Sequence, residues 1–374
     1  MNVLAYVHLR NIYRSTGAGR VARQLMEYVS RRDGVNMHIL ADSGDHKAVV
    51  EKVGSPWTEY PYHLFSQDTS YQQARWLAFH NPVAEKFWPD TQIVHCTGES
   101  YVPTRRCKLV VTLHDAAYFE PGAHPNNFAT FKQRLKWRYL YRTLSRNADA
   151  FHTVSQFSAD RLGAVFPSIR SRLRVVYNAV QERFFCPVNL IGEKTLEAHG
   201  LVGRRYIMFP GGLQYRKNAD LVLKAWPILR ERIPDLNLVV TGHCDPRYTE
   251  MAASLTGSVF TGFVDDDELC SLYSGAQAVW FPSLYEGFGM PVLEAMACGA
   301  PVVASNTTSV PEIAGKAAVL VSPQSVSENV DALEMVVNNS ALQAKLRDGG
   351  RAHARQFQWS NSAAKLHELY SSVL

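Results

Sequence analysis

Ala278-Val279-Trp280-Phe281-Pro282, followed by Ser283-Leu284-Tyr285-Glu286-Gly287-Phe288-Gly289-Met290-Pro291-Val292-Leu293-Glu294-Ala295-Met296-Ala297-Cys298-Gly299, decides how this chain folds. The first residues read as a short buried strand. A glycine-aromatic-glycine loop then opens into a helix, and Pro291 suits the first helical position because its missing N–H costs nothing there. Strand, glycine loop and helix in that order form the repeating step of an α/β protein. Glu286 falls in the loop and Glu294 about one turn into the helix. Loop N–H groups open beside the positive end of the helix dipole, which suits a ligand carrying both hydroxyls and phosphates, such as a sugar nucleotide. A solvated helix face behind a loop that binds nothing is the plainer reading of the same residues.

The chain has 374 residues, more than one hydrophobic core normally serves, so two domains are expected. Its apolar, Gly and Pro contents are those of a soluble globular protein. No apolar run approaches the ~20 residues of a membrane span, and Met1-Asn2-Val3-Leu4-Ala5-Tyr6-Val7 lacks a basic leader and reads as a strand. Cys96, Cys107, Cys186, Cys244, Cys270 and Cys298 have neither metal-ligand spacing nor disulfide-scaffold density, which predicts reduced packing residues and a cytoplasmic protein. Formal charge is +9 over residues 1–180 and −4 over 181–374. The first part should therefore favour an anionic partner: a lipid-linked phosphate, an anionic membrane surface or, as a third and weaker choice, nucleic acid. No basic-aromatic module of a nucleic-acid fold is present.

Short β-rich runs alternate with helical patterns from end to end, predicting parallel sheets covered by helices. The expected strands are Asn2–His8, Asn36–Leu40, Gln92–Cys96, Leu109–Leu113, Ala150–Val154 and Arg174–Tyr177, then Tyr206–Phe209, Leu236–Thr241, Val259–Thr261, Ala278–Phe281, Pro301–Ala304 and Ala318–Val321. These give an N-terminal domain over 1–180, a linker over 181–203 and a C-terminal domain over 204–356. Residues 357–374 read as a helix with Ser360 as N-cap and Ala364, Leu366, Leu369 and Tyr370 as its apolar positions.

Ligands in open parallel sheets bind beyond the carboxyl ends of the strands, and several polar groups fall there. Ser15-Thr16-Gly17-Ala18-Gly19 opens a helix whose bare N–H groups could meet a phosphate oxygen, or could simply turn the chain. His114-Asp115 follows the strand Leu109–Leu113. Gly211-Gly212-Leu213-Gln214-Tyr215-Arg216-Lys217-Asn218 follows the first strand of the second half, where Arg216 and Lys217 could hold a phosphate. The acidic run Asp265-Asp266-Asp267-Glu268 contains an Asp-x-Asp pair, yet it precedes an evident helix, so capping explains it more simply than metal binding. No other cluster supplies the oxygen ligands of a metal site. Residues 131–146 form a basic, aromatic-rich amphipathic helix, read either as a domain helix with a solvated basic face or as a contact with an anionic membrane or lipid-diphosphate acceptor.

The Glu286-to-Glu294 stretch, continued through Gly299-Ala300-Pro301-Val302-Val303-Ala304-Ser305 and Pro311-Glu312-Ile313-Ala314-Gly315, resembles the paired-glutamate motif of the retaining glycosyltransferases of family 4. The resemblance covers nearly the whole chain and is weakest over residues 42–90. It implies the GT-B fold: α/β, with two doubly wound Rossmann-like domains facing each other across a cleft and a last helix crossing back to the first domain. It implies further that Glu286 holds sugar hydroxyls, that Glu294 takes the ribose diol, and that Arg216 and Lys217 neutralise the leaving diphosphate. His114 would lie beside the transferred sugar, with Asp115 in support, and Gly17, Gly19, Gly287, Phe288, Gly289 and Met290 would border the donor. Some family members carry an arginine directly after the first glycine of the Gly-Gly turn; Gly212 stands there in this chain, one cation fewer.

The expectation is a retaining glycosyltransferase moving a sugar, mannose from GDP-mannose within the bacterial polysaccharide branch of the resemblance, to a glycan or lipid-linked acceptor. It would need neither metal nor cofactor, the nucleotide sugar being a co-substrate. No clear carboxylate nucleophile is present, and the resemblance implies a front-side displacement instead. The rival readings are a GT-B sugar-nucleotide epimerase or hydrolase, and a non-catalytic sugar-nucleotide-binding protein.

Overall fold

A computed structural model describes residues 1–14, 16–66, 68–185 and 190–374, with the side chains of Leu190 and Ile191 left out. Ser15 and Cys186, named above, lie outside the described residues. The chain divides into two compact units: unit 1 is Met1–Phe119, Asn127–Asn178 and Trp359–Leu374, and unit 2 is Glu120–Asn126 and Ala179–Gln358.

Unit 1 is built on a seven-stranded sheet of β1 (Asn2–Tyr6), β2 (Asn36–Asp42), β3 (Tyr62–Phe65), β4 (Ile93–Cys96), β5 (Lys108–Leu113), β6 (Ala150–Thr153) and β7 (Leu173–Val175). Their order is β3-β2-β1-β4-β5-β6-β7 and every pairing is parallel. The chain therefore winds one way from β1 to β3, then returns to the other side of β1 to place β4. Parallel strands buried on both faces read as continuous apolar runs, and β4 and β6 are buried at every position. Sequence pattern did not mark β3. It is a four-residue edge strand with a single buried position, too short and too exposed to show a periodicity.

Unit 2 repeats the plan with β8 (Tyr206–Pro210), β9 (Asn237–Thr241), β10 (Ser258–Gly262), β11 (Ala278–Phe281), β12 (Val302–Ser305) and β13 (Val319–Val321), ordered β10-β9-β8-β11-β12-β13 and all parallel. One core gathers Phe209, Trp226, Leu238, Trp280 and Leu333 between strands and helices. The acidic run is a helix start. Asp265 accepts from the Asp267 and Glu268 amides while Glu268 returns a bond to the Asp265 amide, a complete capping box.

The segment read as a linker, 181–203, is structured. It contains a turn at Glu182–Phe185 and a helix at Leu190–Ala198 that packs on the helix Asp266–Gly275 of unit 2; its residues 186–189 lie outside the described residues. The division instead falls between Asn178 and Ala179, and Glu120–Asn126 joins unit 2.

The last helix, Trp359–Val373, belongs to unit 1 and packs against the helix Gly17–Ser30. It starts at Trp359, so Ser360 lies in the first turn rather than capping it, and the inward positions are Trp359, Ser362, Ala363, Leu366, Leu369 and Tyr370. Tyr370 Oη meets His95 Nδ1 on β4 at 2.6 Å. The other His95 nitrogen shares a 2.9 Å bond with Thr112 Oγ1, which reaches His152 Nδ1 at 3.0 Å. Burial pulls His95 down to about 3. Burial first, then the neighbouring His95 and His114, hold His152 well below the ordinary histidine range.

Both rings are thus neutral in the folded protein while their unfolded counterparts titrate near 6.5. This contribution to stability is complete above that pH and falls as the solution is acidified. Each such histidine costs up to ~1.4 kcal/mol per pH unit below 6.5. Unit 1 should lose about 2 kcal/mol or more on going from pH 7.5 to pH 5, and Tyr370→Phe should cost about 1 kcal/mol at pH 7.5. Urea titrations followed by tryptophan fluorescence check both; a stability flat across that pH range would contradict the neutral pair.

Candidate active site

In an open parallel sheet, the loops leaving two neighbouring strands diverge where the strand order reverses, and a crevice opens there. In unit 2 that point lies between β8 and β11. The loop after β8 is shaped by Gly212, whose φ is +73° and where a Cβ would collide with the His243 carbonyl. No arginine can stand at 212 without moving that backbone, which accounts for the missing cation. The loop then carries Arg216 and Lys217 back over the strand ends. Asn218, in left-handed conformation, fixes the return by donating to the Pro282 and Pro323 carbonyls at 3.0 and 2.7 Å.

The loop after β11 meets it. Leu284 N–H donates to the Arg216 carbonyl at 2.9 Å, and Lys217 Nζ donates to Glu286 Oε1 at 2.7 Å with its ammonium 4.7 Å from the Phe281 ring centre. Glu286 is gripped on both sides of its peptide: its N–H donates to Thr308 Oγ1 at 3.3 Å and its carbonyl accepts from Ser309 Oγ at 2.9 Å. Burial pushes the Glu286 carboxyl up, but the Lys217 and Arg216 charges and the Lys217 hydrogen bond outweigh it and leave it below the ordinary carboxylate range. The pair is therefore ionic, with side-chain exposures of 14% and 9%.

The helix behind this loop runs from Met290 to Ala297, so Pro291 is its second residue rather than its first. Its N-cap, Gly289, supplies no side-chain oxygen, and the first-turn N–H groups of a helix have no partner within the helix itself. Glu294 is buried one turn in. Phe288 is buried with its ring 6.2 Å from that of Phe357.

In unit 1 the strand order reverses between β1 and β4, and a cavity of about 210 Å³ open to water lies there. It is lined by His8 after β1, Gly19, Glu99 and Ser100 after β4, His114 after β5, and Trp137. His114 Nε2 and Trp137 Nε1 are buried without a hydrogen-bond partner. Asp115 Oδ1 accepts from the Ala117 amide at 2.8 Å, shaping the turn behind His114. Gly17 is the first residue of its helix and Thr16 is the N-cap; the Thr16 hydroxyl already accepts the Gly19 amide at 3.1 Å. A Cβ at Gly19 would collide with the Asn11 carbonyl. Close helix packing explains why Gly19 is a glycine.

The structure thus brings Arg216, Lys217 and Glu286 together in unit 2, and Gly19 and His114 in unit 1. Sequence reasoning missed Asn218, Thr308 and Ser309, which hold the unit 2 loops, and His8 and Glu99, which line the unit 1 cavity. Glu99 could have been found, because Gly98-Glu99-Ser100 directly follows a marked strand.

Residues 15–184 match the family Glycosyltransferase Family 4, and residues 193–353 match Glycosyl transferases group 1. O-antigen chain mannosyltransferase B of Escherichia coli is 31% identical over 291 residues, 72% of each chain. The chain is a family 4 glycosyltransferase. An MMP alpha-(1->4)-mannosyltransferase of Mycolicibacterium hassiacum is 30% identical to this glycosyltransferase over 244 residues, 63% of this chain and 57% of its own. The serotype-specific mannosyltransferase WbdA of Escherichia coli is much longer: the match spans 61% of this chain and 29% of that one, at 29% identity. Among solved structures, HepE of Anabaena in complex with UDP superposes with a TM-score of 0.75 at 18% identity over 100% of both chains. WaaG, a glycosyltransferase involved in lipopolysaccharide biosynthesis, superposes with a TM-score of 0.76 at 14% identity, covering 99% of this chain and 100% of its own. At those identities the likeness is one of fold, the two-domain GT-B architecture.

Removing one partner of a shielded ion pair strands the other charge. Lys217→Ala should therefore destabilise this glycosyltransferase by about 3 kcal/mol at pH 7.5, whereas the double change Lys217→Met/Glu286→Gln should cost much less. Because the Glu286 carboxyl is depressed, the pair's contribution is present above the ordinary carboxylate range and is lost as pH falls below it. Urea unfolding of the two variants reads the difference; equal losses would show that the pair is not shielded.

Proposed function

We propose that this glycosyltransferase transfers mannose from GDP-mannose to a hydroxyl of a glycan or lipid-linked acceptor in cell-surface polysaccharide synthesis, retaining the anomeric configuration and using no metal. The observation that carries the donor site is the Lys217–Glu286 pair, set at the strand-order reversal of unit 2 beside a helix start without a side-chain cap. The choice of sugar is supported by the names of the mannosyltransferases of Escherichia coli and Mycolicibacterium hassiacum.

Breaking the anomeric C–O bond builds negative charge on the departing diphosphate and positive charge on the sugar, and catalysis depends on groups already aimed at those charges. Lys217 has three N–H donors. One is engaged by Glu286, and the others serve the diphosphate alongside Arg216 and the first-turn amides behind Gly289. The second Glu286 oxygen takes sugar hydroxyls, and Glu294 takes the ribose diol. His114, with an unpartnered ring nitrogen in the unit 1 cavity, holds a sugar hydroxyl. The departing phosphate accepts the proton of the incoming hydroxyl on the same face, which gives retention without an enzyme nucleophile.

A thermal-shift panel of nucleotides and nucleotide sugars tests the donor site. A ligand at 100 times its Kd adds ~2.7 kcal/mol of stability, so GDP-mannose should raise Tm by several degrees. A response to UDP-sugars alone would move the donor assignment, and no response to any nucleotide would overturn it. Glu286→Ala and the double variant Arg216→Ala/Lys217→Ala should each lower transfer about 100-fold or more, and EDTA should leave the rate unchanged. Release of free mannose or an epimer at the full rate without acceptor would favour the epimerase or hydrolase reading.

One surface supports peripheral contact with an anionic membrane. The helix Phe128–Asn147 carries six Lys and Arg residues and no acid. Phe128, Phe131, Leu135 and Tyr139, spaced along one stripe, are each more than half exposed. Aromatic groups at the headgroup level with basic residues around them suit such a surface. Among the described residues no helix is long and apolar enough to cross a membrane. The protein should sediment with phosphatidylglycerol vesicles but not with phosphatidylcholine vesicles, and Phe128→Ser/Phe131→Ser/Leu135→Ser should abolish the difference; equal sedimentation with both lipids would refute this contact.

A further inference from the structure

The unit 1 cavity contains an acid to which nothing above assigns a role. Glu99 stands just beyond β4, on the side of the strand-order reversal facing β5, and lines the cavity together with His8, Ser100 and His114. Its Oε1 accepts the backbone N–H of His114 at 2.6 Å. That bond ties the loop after β4 to the first residue after β5, at the position where the His114 ring enters the cavity. Among the described residues no lysine or arginine pairs with Glu99. The ring it braces is incompletely satisfied, since His114 Nε2 is buried without a partner. Three polar side chains of the neighbouring loops have partners of their own: His8 Nε2 and Ser100 Oγ share a 2.7 Å bond, and Asp115 Oδ1 accepts the Ala117 amide.

We propose that Glu99 is a positioning residue for transfer: its carboxylate fixes the His114 backbone, and so keeps His114 Nε2 turned into the cavity for a carbohydrate hydroxyl. This rests on the reading that His114 contacts the sugar. A carboxylate accepting from a backbone amide makes a charge-assisted bond, shorter and about twice as strong as a neutral one, and the 2.6 Å separation fits it. Protonating Glu99 weakens that bond and loosens the ring. Burial raises the Glu99 carboxyl above the ordinary range; the His114 charge and amide oppose that, and Asp115 adds to it. The titratable groups that face Glu99 are His8 from the loop after β1, and His114 and Asp115 from the loop after β5; Trp137, on the helix Phe128–Asn147, is uncharged. The acid limb of activity set by Glu99 should therefore lie above the ordinary carboxylate range.

The experiment uses the full chain with histidine ring nitrogens labelled, and compares Glu99→Ala and Glu99→Gln with the parent. The His114 ring resonances should shift in Glu99→Ala and shift less in Glu99→Gln, whose neutral side-chain oxygen still accepts the amide through a weaker bond. Ring signals in Glu99→Ala that superimpose on the parent's would overturn the proposal, with or without a turnover assay. With GDP-mannose and methyl α-mannoside as probes, Glu99→Ala should lower kcat about 10- to 100-fold with donor KM unchanged. Glu99→Gln, a neutral acceptor like the protonated acid, should regain only part of kcat at pH 8 and lose the acid limb. A His114→Ala variant separates the two claims: if it transfers at the parent rate, the sugar contact of His114 is wrong while the ring shifts still decide the Glu99 bond. If His114→Ala is inactive and Glu99→Ala keeps full kcat, the positioning role of Glu99 is wrong. A general loss of structure would lower Tm of both Glu99 variants alike and would not be rescued by glutamine.

Discussion

A parallel sheet wound outward in two directions from one strand must leave a gap where the loops of two adjacent strands depart to opposite faces. Both units are built on that constraint, at β1/β4 in unit 1 and at β8/β11 in unit 2. Every group of chemical interest gathers at one of these reversals. Lys217 and Glu286 come from the two loops that flank the unit 2 reversal; His8 and Glu99 come from the two that flank the unit 1 reversal, with His114 one strand further on. The loops cannot be tight hairpins because their strands are parallel, so each is long enough to carry polar side chains across the strand ends.

What distinguishes the unit 2 reversal is how firmly its two loops are tied before any ligand arrives. Main-chain bonds from Leu284 to Arg216 and side-chain bonds from Asn218, Thr308 and Ser309 leave the ion pair to set charge rather than shape. A shielded lysine and glutamate at 2.7 Å contribute little net stability, since desolvation offsets most of their attraction. Their effect is to fix two opposite charges at the strand reversal. Lys217 is held at a fixed point with donors to spare, and Glu286 is held ionised in a buried place that would otherwise favour its neutral form.

The parts of this architecture visible in the sequence are those set by local chemistry. Buried parallel strands show as apolar runs, so Ala278–Phe281 could be bounded to the residue. The acidic run could be read as a helix start, because a capping box is a contact between residues three apart. The parts that stayed hidden depend on contacts distant in sequence. Asn218 acts through carbonyls more than sixty and a hundred residues away, and Thr308 and Ser309 reach back to Glu286 across more than twenty. Gly19 shows the same limit from the other side. Its loop has the composition of a phosphate cradle, yet its amide is taken by Thr16 and its bare Cα by the Asn11 carbonyl. The helix within 181–203 is another contact of this kind: it docks on unit 2, a packing that the weak local patterning there does not announce.

Charge, finally, is distributed against the simplest expectation from the two halves of the sequence. The N-terminal half is basic, and a cavity meant for phosphate would draw on that surplus. Instead the unit 1 cavity holds an acid, Glu99, and unpartnered imidazole and indole nitrogens, while six of the half's cations line up on the helix Phe128–Asn147. The acidic C-terminal half carries its two site cations at the strand reversal, with Lys217 held by a carboxylate. The unit 1 cavity is thus lined without lysine or arginine, and the basic residues of the helix Phe128–Asn147 lie outside its lining. A cavity of hydrogen-bonding groups without fixed positive charge discriminates hydroxyl patterns, because each buried donor or acceptor left unmatched costs more than a matched one gains. Strong positive charge there would bind any phosphate indiscriminately. With the cations outside its lining, the cavity is left without fixed positive charge.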